Sequence, residues 1–287
     1  MFPSWMDSGY APIVKPGTED MPTVLHAAIS ATAGTRRQWL TRGALACLAF
    51  GLSQTLWTHR LFADPATAEF ERWLADLLAA GEALKRGDLT TEQWQARMDA
   101  LYGSVSLDEL RAHIDFDRLT QRFDFGADGE RFIDLDPLSG AAFAYSPPER
   151  ERVVTKLAGV RRGKNVPPHG HENMTSAFLV LHGEFNLRQY DKLKTNAGSL
   201  VIRQSRDERQ GPGAWSSTSE TLRNLHWLHA QSGDAFFFST KLVHIVAAAP
   251  MKGRVNVDLR HAVELGAGVL EAPIISGRRA HEIYNDS

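Results

Sequence analysis

The sequence predicts a mainly β protein, either a sandwich or a jelly roll, that follows an N-terminal helical arm. From about Phe123 onward, short apolar runs suited to strands alternate with turns. Before that point, apolar residues recur at helical spacing. Many short strands at short intervals are typical of two-sheet β folds, and closure into a jelly roll also hides the strand edges.

The helical arm is expected over residues 69–115. Apolar side chains recur there at the spacing of one helix face: Phe70, Trp73, Leu74, Leu77 and Leu78. The pair Gly87-Asp88 ends this run, Thr90 begins the next helix as a cap, and a third helix starts at Ser106. We expect the arm to cover the barrel or a homodimer surface.

The β domain is expected over residues 116–287. Its predicted strands are 153–160, 176–181, 184–190, 200–203, 222–229, 235–239, 242–247 and 254–260. The polar segment 204–221 is expected to form a loop. Long loops in compact domains are functional or mobile, so this one is interpreted as a lid over the barrel mouth or a solvated insertion.

The most informative motif is the pair His169 and His171, which follows two prolines. Side chains two residues apart on a strand face the same side, so two imidazoles can bind one metal ion. The prolines keep the entry to the strand extended. A third histidine, His244, lies far downstream in another apolar run and is the predicted third ligand. Together these residues indicate a metal ion inside a β-barrel.

This pattern resembles the first motif of the cupin family, in which a Gly, a His-x-His pair, a Glu and a second Gly follow one another. Gly163, His169, His171 and Gly183 match that order. The position of the family's Glu falls at or beside Ser176, where no carboxylate is present.

The second cupin motif, a Gly often followed by Asp and then by a His, matches Gly233-Asp234 and His244. The family's Asn would be Ala248, so this match is partial. The resemblance covers roughly the C-terminal half to two-thirds of the chain. It implies a cupin-like jelly-roll β-barrel that holds one divalent metal.

The missing Glu is informative because cupins with only three histidines on the metal include the thiol dioxygenases. The stretch from His169 to Asp191 is similar to the aminoethanethiol and N-terminal-cysteine oxidases within that group. Three neutral imidazoles also leave the charge of a divalent metal uncompensated, which favours an anionic ligand such as a thiolate. Fe(II) is therefore the expected metal, with zinc and manganese as alternatives, since zinc also accepts three histidines and water.

The resemblance implies an Fe(II) dioxygenase that uses O2 on a small substrate, with a thiol as the candidate. Two alternatives stay open: another metal cupin enzyme, such as an isomerase or lyase, and a non-catalytic cupin that binds or senses a small ligand. The residues expected to orient the substrate are Tyr190, Arg203, Arg254 and Asn256.

Two further histidines, His226 and His229, lie on one predicted strand an odd number of positions apart, so they face opposite sides of it. We expect His229 to support the metal ligands or to replace the third one. His226 is expected to be an ordinary strand residue.

Residues 1–68 are predicted to be a leader. The pair Arg36-Arg37, followed by an apolar stretch, resembles a twin-arginine export signal, and Ala66-Thr67-Ala68 is suited to cleavage. The expected location is the periplasm, reached through the twin-arginine export machinery. The alternative is a membrane anchor formed by an uncleaved signal.

Composition argues against nucleic-acid binding and against a metal site with cysteine ligands. The formal net charge is -2 and no nucleic-acid-binding motif is present, so a nucleic-acid partner is not expected. Cys47, the single cysteine, lies in the leader, so a metal site in the mature protein must use His, Asp or Glu.

Overall fold

The computed structural model describes residues 65–135, 153–231, 233–249 and 253–285. The arginine pair, the apolar stretch after it and Cys47 lie outside the described residues. None of the described helices is both long and apolar enough to span a membrane. The helices at the start of the described part occupy residues 65–120, and the first strand begins at Glu130.

Four helices form the arm: α1 (Pro65–Arg86), α2 (Thr91–Ser104), α3 (Leu107–His113) and α4 (Phe116–Thr120). Helix α2 begins at a capping box, in which Thr90 accepts a hydrogen bond from the Gln93 backbone and the Gln93 side chain accepts one from the Thr90 backbone. Ser106 caps α3 in a similar way. These two predicted helix starts are confirmed, and the arm continues one short helix further than expected.

The strands that follow are β1 (Glu130–Asp134), β2 (Val153–Val160), β3 (Asn165–Glu172), β4 (Met174–His182), β5 (Phe185–Thr195), β6 (Ser199–Gln210), β7 (Trp215–Thr218), β8 (Leu225–Ala230), β9 (Ala235–Val243), β10 (Gly253–Val257), β11 (Val263–Gly266) and β12 (Val269–Ile275). Helix α5 (Gly277–Asn285) comes last. The strands form a five-stranded sheet, in the order β1-β2-β9-β4-β7, and a seven-stranded sheet, in the order β10-β3-β8-β5-β6-β12-β11.

The pairing of strands β2 to β9 is nested. The chain folds at the β5–β6 hairpin, and outward from it β4 pairs with β7, β3 with β8, and β2 with β9, all antiparallel. These pairs are distributed over the two sheets, which is the jelly-roll arrangement of eight strands. The predicted mainly β, jelly-roll fold with an N-terminal helical arm is therefore confirmed.

The five-stranded sheet is covered on both faces, and its strands alternate between them. In β4, Leu179 and Leu181 face the helices and join the core that contains Trp73, Trp94 and Tyr102 of the arm. Phe178 and Val180, between and beside them, face the second sheet. A strand that is buried on both faces needs apolar residues at successive positions, which explains the near-continuous apolar run of β4.

The polar segment 204–221 is mostly strand, so its prediction as a loop is wrong. Strand β6 continues to Gln210 along the β5 hairpin, and β7 begins at Trp215. Residues 203–209 are polar because most of them are exposed on this long hairpin. The Trp215 ring packs against α2 at Gly103, where an added Cβ would lie 3.0 Å from it, so Trp215 does not belong to a lid.

Gly183, in the turn between β4 and β5, offers a test of this packing. Its φ is +73°, and a Cβ added there would lie 2.7 Å from the Asp234 carbonyl oxygen. A left-handed backbone alone costs a non-Gly residue about 1–2 kcal/mol. We expect Gly183→Ala to lower the free energy of unfolding by more than this, because its Cβ would also clash with the Asp234 carbonyl. Gly213→Ala is the matched control, because its φ is +85° and nothing lies within 4 Å.

Urea denaturation of both variants measures the difference. Equal losses for the two variants would contradict the close approach of β9 to the Gly183 turn.

Candidate metal centre

Three histidines meet between the two sheets. His169 and His171 extend from β3 and His226 from β8, and one nitrogen of each ring lies within 4.8 Å of the other two. The ring centroids are 5.0 Å apart for His169 and His171, 4.3 Å for His169 and His226, and 5.1 Å for His171 and His226. Among the described residues, these are the ones that form a group able to bind a metal ion through three side chains.

Strand register produces this convergence. His169 is directly opposite His226 in the β3–β8 pair, and directly opposed residues share one face of a sheet. His171 lies on that face because it is two residues from His169. The register shifts between Val166 and His169, where the two prolines lack the N–H groups that a regular ladder requires.

The position of Gly170, between the two histidines, leaves no room for a side chain. A Cβ there would lie 2.6 Å from Oδ1 of Asn224, a buried side chain. Asn224 holds the strand at this point, because its Oδ1 accepts from the His171 backbone N–H (3.2 Å) and its Nδ2 donates to the His171 carbonyl (3.0 Å). The small residue of the His-Gly-His motif therefore allows Asn224 to fix the backbone of a candidate ligand.

The three imidazoles are buried and neutral. Burial lowers the pKa of His169 and of His171 well below the ordinary value, and it lowers that of His226 to about 3. The charges of Arg254 and Lys241 act in the same direction on His171 and His226. Neutral imidazole is the form that binds metal ions, so the electrostatic environment suits ligands.

Several ring nitrogens in this cluster lack a hydrogen-bond partner. Both nitrogens of His171 and Nδ1 of His226 are buried without one. Leaving a buried polar group unpaired typically costs about 1–3 kcal/mol, so such groups in a native site indicate a bound partner such as an ion or a water molecule. His169 differs, because its Nδ1 lies 2.8 Å from the Pro167 carbonyl. That contact requires Nδ1 to carry the proton and leaves Nε2 as the coordinating atom.

The cluster differs from the sequence expectation in its third member, which is His226 and not His244. His244 follows the end of β9 with a left-handed backbone (φ 53°), and its carbonyl accepts from Nζ of Lys85 in α1. The expected separate strand 242–247 is absent, because β9 runs without a break from Ala235 to Val243 and belongs to the other sheet.

His226 and His229 do face opposite sides of β8, as predicted, but His226 and not His229 points toward His169 and His171. His226 is 6% exposed and points between the sheets, whereas His229 lines an outer groove of about 330 Å³ with Arg188, Trp227 and Tyr284. Nested pairing is the signal that could have identified His226, because in a jelly roll the partner of the His-x-His strand lies five strands downstream.

Tyr190 and Arg203, which were predicted to orient the substrate, lie away from the cluster. Tyr190 packs with Leu225 and Val257 in a separate apolar cluster, because it alternates with the inward residue Gln189. Arg203 is exposed on β6. Neither residue faces the three histidines.

Arg254 and Asn256, in contrast, lie beside the histidines on β10. Arg254 is opposite His171, and Asn256 is opposite His169. The Arg254 guanidinium binds Oε1 of Glu130 at 3.0 Å and lies 4.8 Å from the centre of the Phe132 ring. The register therefore places both residues on the histidine face of the sheet.

The position of the missing cupin Glu is also on the inner face. Ser176 is buried in β4, and its Oγ lies 3.1 Å from Oγ1 of Thr218. Its neighbour across the β4–β9 pair is Lys241, which sequence reasoning did not identify. Burial and the nearby Arg254 lower the pKa of Lys241 to about 7. The centre therefore combines three neutral candidate ligands with two basic side chains nearby.

Comparisons with known proteins yield structural neighbours only. No model of a known protein family matches the chain, and neither does any curated protein. Among solved structures, KdgF from Halomonas sp. is 15% identical over 42% of this chain and 84% of its own, with a TM-score of 0.29. An oxalate oxidase is 17% identical over 44% of this chain and 57% of its own, with a TM-score of 0.31.

A third neighbour, the protein TT1209 from Thermus thermophilus, is 14% identical over 43% of this chain and 91% of its own, with a TM-score of 0.30. Scores and identities this low carry no argument about function. The interpretation of the site therefore depends on its own geometry.

Acid should destabilise the metal-free protein. Because the pKa values of the three buried imidazoles are lowered on folding, the unfolded chain binds protons first as the pH falls through about 6.5. The free energy of unfolding should then decrease by up to about 1.4 kcal/mol per pH unit for each histidine.

Urea denaturation with a chelator at several pH values measures this dependence. The His226→Gln variant should show a shallower slope, because one of the three buried imidazoles is absent. A slope equal to that of the wild type would contradict the buried neutral state of His226.

Proposed function

We propose that the protein is a metal-dependent cupin enzyme in which His169, His171 and His226 bind one divalent metal ion, Fe(II) in the active form. The convergence of three buried, neutral imidazoles with unpaired nitrogens is the observation that carries this proposal. The donor set consists of imidazole nitrogen, which suits iron, zinc, copper and nickel.

We further propose that the reaction is the dioxygenation of a small thiol. A metal ion held by His169, His171 and His226 would supply a redox-active Lewis acid for an anionic substrate and O2. The overall reaction is RS⁻ + O2 → RSO2⁻, in which sulfur loses four electrons and both oxygen atoms of O2 enter the product. No external reductant is needed, because the substrate sulfur supplies all four electrons that O2 accepts.

The protein would contribute three neutral ligands. At the position of the cupin Glu, none of the described residues supplies a carboxylate. Ser176, which stands there, pairs with Thr218. These neutral residues would therefore leave the charge of a bound divalent metal uncompensated, which would favour a thiolate. The neighbouring Lys241 and Arg254 act in the same direction.

Metal content tests the centre directly. We expect His226→Ala to bind metal at least tenfold more weakly than the wild type, because one of three ligands is lost. His244→Ala and His229→Ala are the controls and should bind metal normally. Metal analysis after dialysis against a limiting concentration of Fe(II) or Zn(II) measures this. Loss of metal in His244→Ala with retention in His226→Ala would contradict the assignment.

Oxygen uptake tests the reaction. Iron-loaded protein with a thiol substrate should consume one O2 per sulfinate formed, and the zinc-loaded protein should consume none. If the iron-loaded protein shows no thiol-dependent uptake, the dioxygenase proposal fails. Metal binding with a different reaction would then favour another cupin enzyme.

We also propose export through the twin-arginine machinery. This route suits a metal protein that folds and acquires its metal in the cytoplasm. Replacing both Arg36 and Arg37 with Lys should retain the protein in the cytoplasm, as measured by fractionation. Periplasmic accumulation of this variant at the wild-type level would contradict the proposal.

A further inference from the structure

Gln189 lies beside the histidine cluster without any assigned role. It is directly opposite His226 in the β5–β8 pair and is completely buried on the same inner face. Its Nε2 has no hydrogen-bond partner. A buried amide N–H group in such a position is available to donate to an acceptor that a bound molecule supplies.

A chain of hydrogen bonds fixes the orientation of this amide. Arg206 Nη1 donates to Oγ of Ser216 at 3.3 Å, and Ser216 Oγ donates to Oε1 of Gln189 at 2.7 Å. Because a guanidinium can only donate, the Ser216 hydroxyl is left to donate to the amide oxygen. Nε2 is therefore the free end of Gln189.

Two cations meet at the same part of the interior. The Lys241 ammonium lies 5.0 Å from the centre of the Phe132 ring, and the Arg254 guanidinium lies 4.8 Å from it. They come from opposite sheets, since Lys241 is on β9 and Arg254 on β10. Both are close enough to lower the pKa values of His171 and His226.

The nearby carboxylates do not neutralise both cations. Glu130 binds Arg254 at 3.0 Å, and Asp134 binds Lys156 at 2.6 Å. Within the described part of the chain, Lys241 contacts the Phe132 ring and forms no ion pair. Lys241 is therefore the basic side chain of this group that has no carboxylate partner among the described residues.

We infer that this part of the barrel selects a small thiol that bears a carboxylate, with the Lys241 ammonium binding the carboxylate and Gln189 Nε2 donating to the sulfur end. This inference rests on the proposed metal centre and narrows its substrate class. A thiol with an ammonium group, such as 2-aminoethanethiol, is repelled by the same charges.

The two thiols 2-aminoethanethiol and 3-mercaptopropionate test this selection, because they differ in the charged group at the end of the same two-carbon chain. Protein loaded with Co(II), whose absorption spectrum reports ligand binding, is titrated anaerobically with each thiol. The wild type should bind 3-mercaptopropionate at least tenfold more tightly. Equal binding of the two, or preference for the amine, would overturn the inference while leaving the metal centre intact.

Variants separate the contribution of the Lys241 charge from that of the Gln189 amide. Lys241→Met should reduce the preference for the carboxylate several-fold, whereas Lys156→Met should not, because Lys156 is already paired with Asp134. If Lys241→Met does not fold, Lys241→Gln serves in its place. An unchanged preference in a folded Lys241 variant would contradict a role for its charge.

Gln189→Leu should weaken the binding of both thiols by a similar factor, about tenfold, without reducing Co(II) content. Gln210→Leu is its control, because Gln210 is a buried glutamine with an unpaired Oε1 at the end of β6, opposite Phe185. If Gln189→Leu loses Co(II), Ser216→Ala tests the same amide by releasing its anchor. Wild-type affinity in either folded variant would overturn the role of Gln189, whereas failure of the wild type to bind Co(II) would overturn the proposed function itself.

Discussion

The β3–β8 pair is the contact on which the candidate site depends. It places His226 directly opposite His169, while the two-residue spacing of β3 adds His171 on the same face. A shift of one residue in that register would turn the inward side chains of one strand outward and separate the ring nitrogens. The bulge at the two prolines and the hydrogen bonds of Asn224 to the His171 backbone hold the register at this point.

The interior of the jelly roll is divided into two halves of different polarity. At one end, Phe178, Phe185 and Phe237 form a packed apolar cluster that stabilises the contact between the sheets. At the other end, the histidines, Gln189 and Lys241 are polar and partly unpaired. The apolar half provides the rigid support that a site with unsatisfied groups requires.

The charges of the polar half explain how the proposed chemistry and its selectivity are connected. The imidazoles bring no negative charge to the metal, and Lys241 and Arg254 bring positive charge near it. Both properties would favour an anion there. Binding of an anion would in turn raise the pKa of Lys241 from its lowered value of about 7, since the charged ammonium gains a partner. Ligand charge and the charge state of the barrel are thus coupled.

The sequence by itself determined the class of fold, the helix starts at Thr90 and Ser106, and two of the three clustered histidines. Those features depend on local periodicity, capping and two-residue alternation, which neighbouring residues encode. Tertiary structure decided the third histidine, because only the nested pairing of distant strands shows that β8 lies beside β3. It also decided that Gln189 and Lys241 face the cluster, since a polar residue in a strand acquires its surroundings from the strands that pair across and pack against it.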